Sequence, residues 1–171
     1  MTAGNTGALL RGLPTVIGVL LAVLVADPLL GQSVEGDTRE LLRLHEELLA
    51  AHREGDIDRW MAVESANYVS ANSGRITYPT VEARRSGRAD YLDRATFEIY
   101  EDVTPPVVRV SADGTLGWVI AEVEVRGVLD GASGATEAFH DIWAWIELYE
   151  KVDGTWIMTG NASNRRPGEG E

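Results

Sequence analysis

The chain contains no cysteine, which removes disulfides, thiolate metal sites, a cysteine nucleophile and a lipid-modified cysteine from consideration. Basic residues are also in deficit. The net charge is −12 and the pI about 4.6, and phosphate backbones need a basic footprint, so nucleic acid is excluded as a partner. There is no glycine-rich phosphate loop, no G-x-S-x-G elbow and no H-E-x-x-H pair. A nucleotide site, a serine-hydrolase elbow and a zinc-peptidase helix are therefore not expected, and neither a metal nor a cofactor is. No internal repeat or second domain is visible. What remains is 171 residues with 44% apolar content, enough for the core of one ordinary domain plus an appendage.

The appendage is N-terminal. Residues 1–12 carry one charge, Arg11, and residues 14–26, PTVIGVLLAVLVA, carry none before Asp27 and Pro28. That run is short for a bilayer span, which takes about 20 residues, but suits the core of a secretory signal peptide. Gly31-Gln32-Ser33 offers a small-x-small pattern, so cleavage is expected near Ser33 and the protein is expected to be exported, to a periplasmic or extracellular location. The alternative is an uncleaved membrane anchor over residues 13–30. The expected organisation is a signal peptide over 1–33, a domain over 34–164 and a disordered tail over 165–171.

Along the domain, residues 34–38 read as a polar lead-in with Asp37 or Thr38 as a helix cap. Leu41, Leu42, Leu44, Leu48, Leu49 and Ala51 recur at three- and four-residue steps and predict an amphipathic helix that Gly55 ends. Asp56 caps a second, short helix that buries Ile57, Trp60 and Met61. A strand follows around residues 68–71 with a turn at Asn72-Ser73-Gly74, then a third helix over 80–95, interrupted at Gly87. From Thr96 onward strands dominate. Asp-Gly pairs at 113–114, 130–131 and 153–154 stand between alternating apolar runs, a strong hairpin signal, so the last four strands should form an antiparallel meander. Helices that can cover only one face of such a sheet make the fold class α+β.

Two segments carry a family resemblance. LLAAHREGDIDRWMAVESANYVSANSGRI resembles the opening of NTF2-like proteins of the SnoaL-like group, and YEKVDGTWIMTGNASN resembles their ending. The order of elements agrees over residues 38–164. The resemblance implies a cone, three N-terminal helices packed on a curved antiparallel sheet with a pocket between them, often dimeric through the sheet. Relatives include isomerases, dehydratases, epoxide hydrolases and polyketide cyclases as well as non-catalytic binding or assembly modules. Fold does not carry function, and none of those catalytic sets aligns with defined positions here.

Within that architecture the segment FHDIWAWIELYE, residues 139–150, has two faces, since alternate strand residues point opposite ways. The aliphatic set, Ile142, Ala144, Ile146 and Leu148, is expected against the helices beside Val119, Ala121, Val123 and Val125. Trp143 and Trp145 are then expected on the outside, too apolar to leave in water. They would be covered by a second subunit as a dimer face, or by a loop or the N-terminal segment. The last strand has two readings. A two-residue loop at Asp153-Gly154 sets Ile146 opposite Asn161 and sends Asn161 and Ser163 into the pocket. A three-residue loop puts those two beside the tryptophans and turns Met158, Gly160 and Ala162 inward.

Candidate pocket residues are Tyr68, Asn72, Ile146 and Asn161. Candidates for acid-base catalysis are His52, Tyr100 and His140. His52 falls on the buried helix face, where a hydrogen-bonded core histidine is the plainer reading. Tyr100 sits with Glu101 and Asp102 at a strand end, able to donate to a developing oxyanion or simply to pack. His140 shares the parity of the aliphatic face and would stand at the mouth of the cone, or be an ordinary strand-end histidine. His45, about 10 Å from His52 along the helix, cannot share a metal with it and reads as a boundary residue. Arg84, Arg85 and Arg88 read as a solvated helix face. The expectation is an exported domain binding a small apolar organic molecule. The alternatives are a cofactor-independent isomerase, dehydratase, cyclase or hydrolase, or a protein-interaction module.

Overall fold

The computed structural model describes residues 1–2, 28–131 and 134–168. The apolar run at residues 14–26 lies outside them, and no helix among the described residues is long and apolar enough to cross a membrane. Helix α1 spans Pro28–Glu54, α2 Ile57–Ala62 and α3 Val81–Arg94; strands are β1 Glu64–Asn72, β2 Arg75–Thr77, β3 Ala95–Asp102, β4 Val107–Val110, β5 Leu116–Asp130, β6 Thr136–Val152 and β7 Thr155–Pro167. The strands form one unclosed sheet in the order β2-β1-β7-β6-β5-β3, with β4 also on β5.

Local chemistry explains the helices. α1 buries Leu41, Leu44, Leu48, Leu49 and Ala51, the stripe that the leucine spacing calls for, while Leu42 is left exposed. It ends where Gly55 adopts φ +67°: Gly55 N–H donates to His52 O and Asp56 N–H to Ala51 O, the paired bonds of a Schellman stop. Asp56 then caps α2 by accepting from the backbone N–H groups of Asp58 and Arg59. Two expectations change here. Asp37 lies inside α1 rather than capping it, and its carboxylate accepts from Trp156 Nε1 at 3.1 Å and pairs with Lys151. α3 also runs unbroken through Gly87.

The meander β4-β5-β6-β7 is antiparallel throughout, with Val108 opposite Val119, but the sheet is mixed because β1 pairs with β7 in parallel. β7 continues through Pro167, opposite Asp141, so residues 165–167 are strand rather than disordered tail.

The main correction concerns β6. Val119, Ala121, Val123 and Val125 are buried against the helices, and their partners are Glu147, Trp145, Trp143 and Asp141. The tryptophan face points inward, and Ile142, Ala144, Ile146 and Leu148 point out. Trp143 and Trp145 pack on the cluster of Leu49, Tyr100, Ala121, Val123 and Val125, so they are not an outer dimer face. The loop between β5 and β6 comprises residues 131–135, an odd length, and one residue more or less would have exchanged the faces. Energetics favour this register, because the inward set brings Phe139, Trp143, Trp145 and Tyr149, each with roughly 150–250 Å² to bury. The aliphatic set has less to hide.

Candidate functional site

Between α1, α2, α3 and the concave side of the sheet lies an open cavity of about 380 Å³, within the range of small-molecule sites. The last strand supplies part of its lining by a device outside both expected registers. The Asp153-Gly154 turn is a two-residue loop with both φ angles positive, +49° and +81°, a type I′ turn. Thr159 is then an extra residue, because Tyr149 pairs with Met158 and Leu148 with Gly160. This bulge reverses parity partway along β7. Met158 before it and Asn161 and Ser163 after it all face the cavity, while Ala162 turns outward opposite Ile146.

Aromatic rings make the walls: His52, Trp60, Tyr68, Tyr91, Tyr100, and the Trp143/Trp145 pair. Tyr100 faces in because β3 has its own irregularity between Phe97 and Ile99. The His52 ring sits 3.7 Å from the centroid of Trp60 and stacks 4.5 Å from Tyr100. Its Nδ1 lies 2.7 Å from Leu48 O. A carbonyl only accepts, so Nδ1 carries the proton and Nε2 of the neutral ring is the acceptor. Burial pushes His52 down to about 4, with the charge of Arg88 acting the same way. The tyrosines move oppositely. Burial raises Tyr91 to about 12, and raises Tyr68 and Tyr100 as well. Among the described residues none of these three hydroxyls has a hydrogen-bond partner, so each remains a protonated donor available to an occupant.

One edge of the cavity is ionic. The fully buried Glu64 side chain has Oε2 3.2 Å from Arg84 Nε and in contact with Arg88 Nη1. Arg84 is itself buried and donates to Ser65 O at 2.7 Å and Pro79 O at 3.3 Å. The Arg88 guanidinium lies 4.5 Å above the Trp60 ring and 5.4 Å from that of Tyr68. Two of the three arginines expected on a solvated face are therefore interior. Only Arg85, paired with Asp58 at 2.7 Å, is exposed. The mouth is polar, where exposed Asn72 donates to Ser163 Oγ at 2.9 Å.

Of the residues singled out from sequence, His52, Tyr68, Asn72, Tyr100 and Asn161 line the cavity. Ile146 does not, since it lies on the outward face with Ile120 and Ala144. His140 is also outward, with Nε2 3.0 Å from Glu124 Oε1. Both departures follow from the β6 register.

Sequence reasoning missed a polar cluster behind Trp145. His45 Nδ1 is 2.7 Å from Glu147 Oε1, and its Nε2 is 3.1 Å from Asp102 Oδ1. Glu147 is 0% exposed and also accepts from Trp145 Nε1 and Tyr149 Oη, each at 2.8 Å. Burial alone would lower His45, but the hydrogen bond and charge of Glu147, joined by Asp102, outweigh it and raise His45 to about 9. Burial likewise holds Asp102 above the usual carboxylate range against the opposing charge of His45. The available signal was the seven-residue spacing of His45 and His52, which puts both on the buried face of α1. No group of three or more potential ligands for a metal ion occurs among the described residues.

No protein-family model matches the chain, and no curated protein does. Solved structures do. The chain is similar to an NTF2-like protein of unknown function in nutrient uptake from Rhodospirillum rubrum, with a TM-score of 0.58 and 17% identity, covering 72% of this chain and 96% of that one. It is similar to a ketosteroid isomerase-like protein from Erwinia carotovora atroseptica, with a TM-score of 0.61 and 15% identity, covering 77% and 98%. A conserved protein from Planctomyces limnophilus gives a TM-score of 0.62 at 12% identity, covering 78% and 98%. The fold is thus an NTF2-like α+β cone. At these identities the likeness extends to fold alone.

Proposed function

We propose that the cone is a binding site for a small, flat, largely apolar organic molecule, and that binding rather than turnover is its work. The observation that carries this reading is the set of Tyr68, Tyr91 and Tyr100, hydroxyl donors without described partners on the wall of an aromatic cavity. An occupant with one or two acceptor oxygens would accept from these hydroxyls in place of water. Acid-base turnover is less well supported. A general base works best with a pKa near the working pH, whereas His52 is held at about 4. Glu64 is occupied by two guanidinium groups.

Two further parts of the proposal come from elsewhere in the chain. The apolar run at residues 14–26, followed by Gly31-Gln32-Ser33, supports export with cleavage near Ser33, which would leave Asp37 and its contacts in place. The outward sheet face supports a homodimer. Ile120 and Leu148 are 44% and 43% exposed there, beside Ala144, Ile146 and Ala162, an apolar stripe of the kind that a partner covers.

Native mass spectrometry of protein purified without denaturation from its source organism tests all three. The expected species is a dimer, lacking about 33 N-terminal residues by the signal-peptide pattern, with a discrete small-molecule adduct that Ser163→Trp, a ring added at the cavity mouth, eliminates. An adduct that persists in Ser163→Trp would sink the assignment of the binding site. A monomer would remove the dimer, and an intact N-terminus in the membrane fraction would favour an anchor.

A further inference from the structure

We infer that the occupant of the cone is an organic carboxylate, a flat apolar body whose acid group is taken by Arg88. This rests on the binding function proposed above and assigns the chemistry of one end of the ligand.

Glu64 and Arg88 are the only formally charged side chains lining the cavity among the described residues, apart from the histidine that burial keeps neutral. Charges do not cancel at this edge. Glu64 is one carboxylate facing two guanidinium groups, Arg84 and Arg88. Arg84 is sealed: its side chain is 3% exposed, its two Nη groups donate to Ser65 O and Pro79 O, and its Nε lies 3.2 Å from Glu64 Oε2 as an ion pair without a hydrogen bond. Arg88 is not. Its side chain is 16% exposed, and only Nη1 has described partners, Glu64 and Met61 Sδ. Nε and Nη2 stay available, and stacking over Trp60 and Tyr68 fixes the plane of the group at the cavity wall.

A planar guanidinium with two free donors matches a carboxylate edge-on, and hydrogen bonds between ionised partners are the strong ones. The aromatic walls lower the local dielectric and so strengthen the attraction. Glu64 has two effects. It holds one side of the Arg88 fork in place, and because Arg84 already balances it, it does not cancel the charge that Arg88 offers. The field of Arg88 reaches across the cavity and disfavours a proton on His52, while at Tyr68 it opposes burial and the charge of Glu64. An otherwise acidic chain of net charge −12 therefore encloses a cavity with a positive end.

The test compares two probes of nearly equal shape, 2-naphthoate and its neutral amide, 2-naphthamide. Binding to the full-length protein is followed by quenching of tryptophan fluorescence, since Trp60, Trp143 and Trp145 are in the wall. The expected result is that 2-naphthoate binds about tenfold or more tightly than 2-naphthamide. Arg88→Met abolishes that preference while retaining amide binding, and Arg88→Lys restores part of it. Arg85→Met, which removes an equal charge outside the cavity, leaves the preference intact. Should Arg88→Met fail to fold, Arg88→Lys decides, because loss of the fork with charge retained must reduce the preference. Equal affinity for the two probes in the wild type, or a preference that survives at Arg88, overturns the carboxylate assignment and leaves the cavity a neutral-ligand site. If neither probe nor 2-methylnaphthalene binds, the cavity is not a binding site and both readings fall together.

Discussion

His45 and His52 stand two turns apart on the same face of α1, are both buried, and are shifted in opposite directions. His45 is raised to about 9 and His52 lowered to about 4. Burial disfavours the imidazolium in both. The difference lies in whether the sheet presents a carboxylate. Against His45 it sets two carboxylates, Glu147 on β6 and Asp102 at the end of β3. Against His52 the neighbours are the rings of Trp60 and Tyr100 and one backbone carbonyl. A helix of nearly uniform leucine chemistry thus has a charged half that ties it to the sheet and a neutral half that opens onto the cavity.

The strongest way to break this contrast is at Glu147. Glu147→Ala leaves the imidazolium of His45 buried beside Asp102 alone and strips the acceptor from Trp145 Nε1 and Tyr149 Oη. Breaking a buried ion pair on one side costs about 3–5 kcal/mol, so a loss of that size is expected in urea unfolding.

The pH dependence of stability sharpens the contrast, because the two histidines have opposite signs. His45 is raised above its unfolded value of 6.5, so its contribution is complete below about pH 6.5 and lost as pH rises through about 9. His52 is lowered, so the folded state is favoured above about 6.5 and penalised as pH falls from there toward about 4. Each arm amounts to about 3 kcal/mol by linkage. Unfolding free energy measured across pH 4–9 should therefore peak near 6.5. His52→Phe should flatten only the acid limb, and His45→Gln only the alkaline one. A single mutation that flattened both would show that the two halves of α1 are not independent.

The smallest effect is expected where charge is present without burial. Arg43→Ala breaks an exposed pair with Glu40 one turn away on the same helix and should change the thermal midpoint by no more than about 0.5 kcal/mol allows.

The same contrast marks what was legible in the sequence. α1 could be read because its leucines recur at helical spacing, and its end because Gly55 and Asp56 signal a stop and a cap through short-range geometry. The hairpins could be located for the same reason. The faces of β6 could not, because parity depends on the length of the loop over residues 131–135, and Asp-Gly at 130–131 does not specify it. The choice was further obscured by Glu147. A glutamate beside two tryptophans suggests an outward face, and it is the inward position of His45, on an element 102 residues away, that makes its burial tolerable. The bulge at Thr159 was hidden similarly. The type I′ turn chemistry was readable, but the later parity change answers to packing on both sides of β7. Pocket residues carried by β1, α1 and β3 were therefore found, while Ile146 and His140, which depended on the parity of β6, were misplaced.

Lys151 is the only lysine in the chain, and its ammonium is engaged by Asp37 and lies 5.0 Å from the centre of the Trp156 ring. The protein thus has one side-chain amine, held where α1 meets the sheet. The pairing with Asp37 holds back an ammonium whose side chain is 25% exposed, so acylation at Lys151 should speed up when α1 lifts from the sheet, and its rate becomes a clock for that opening.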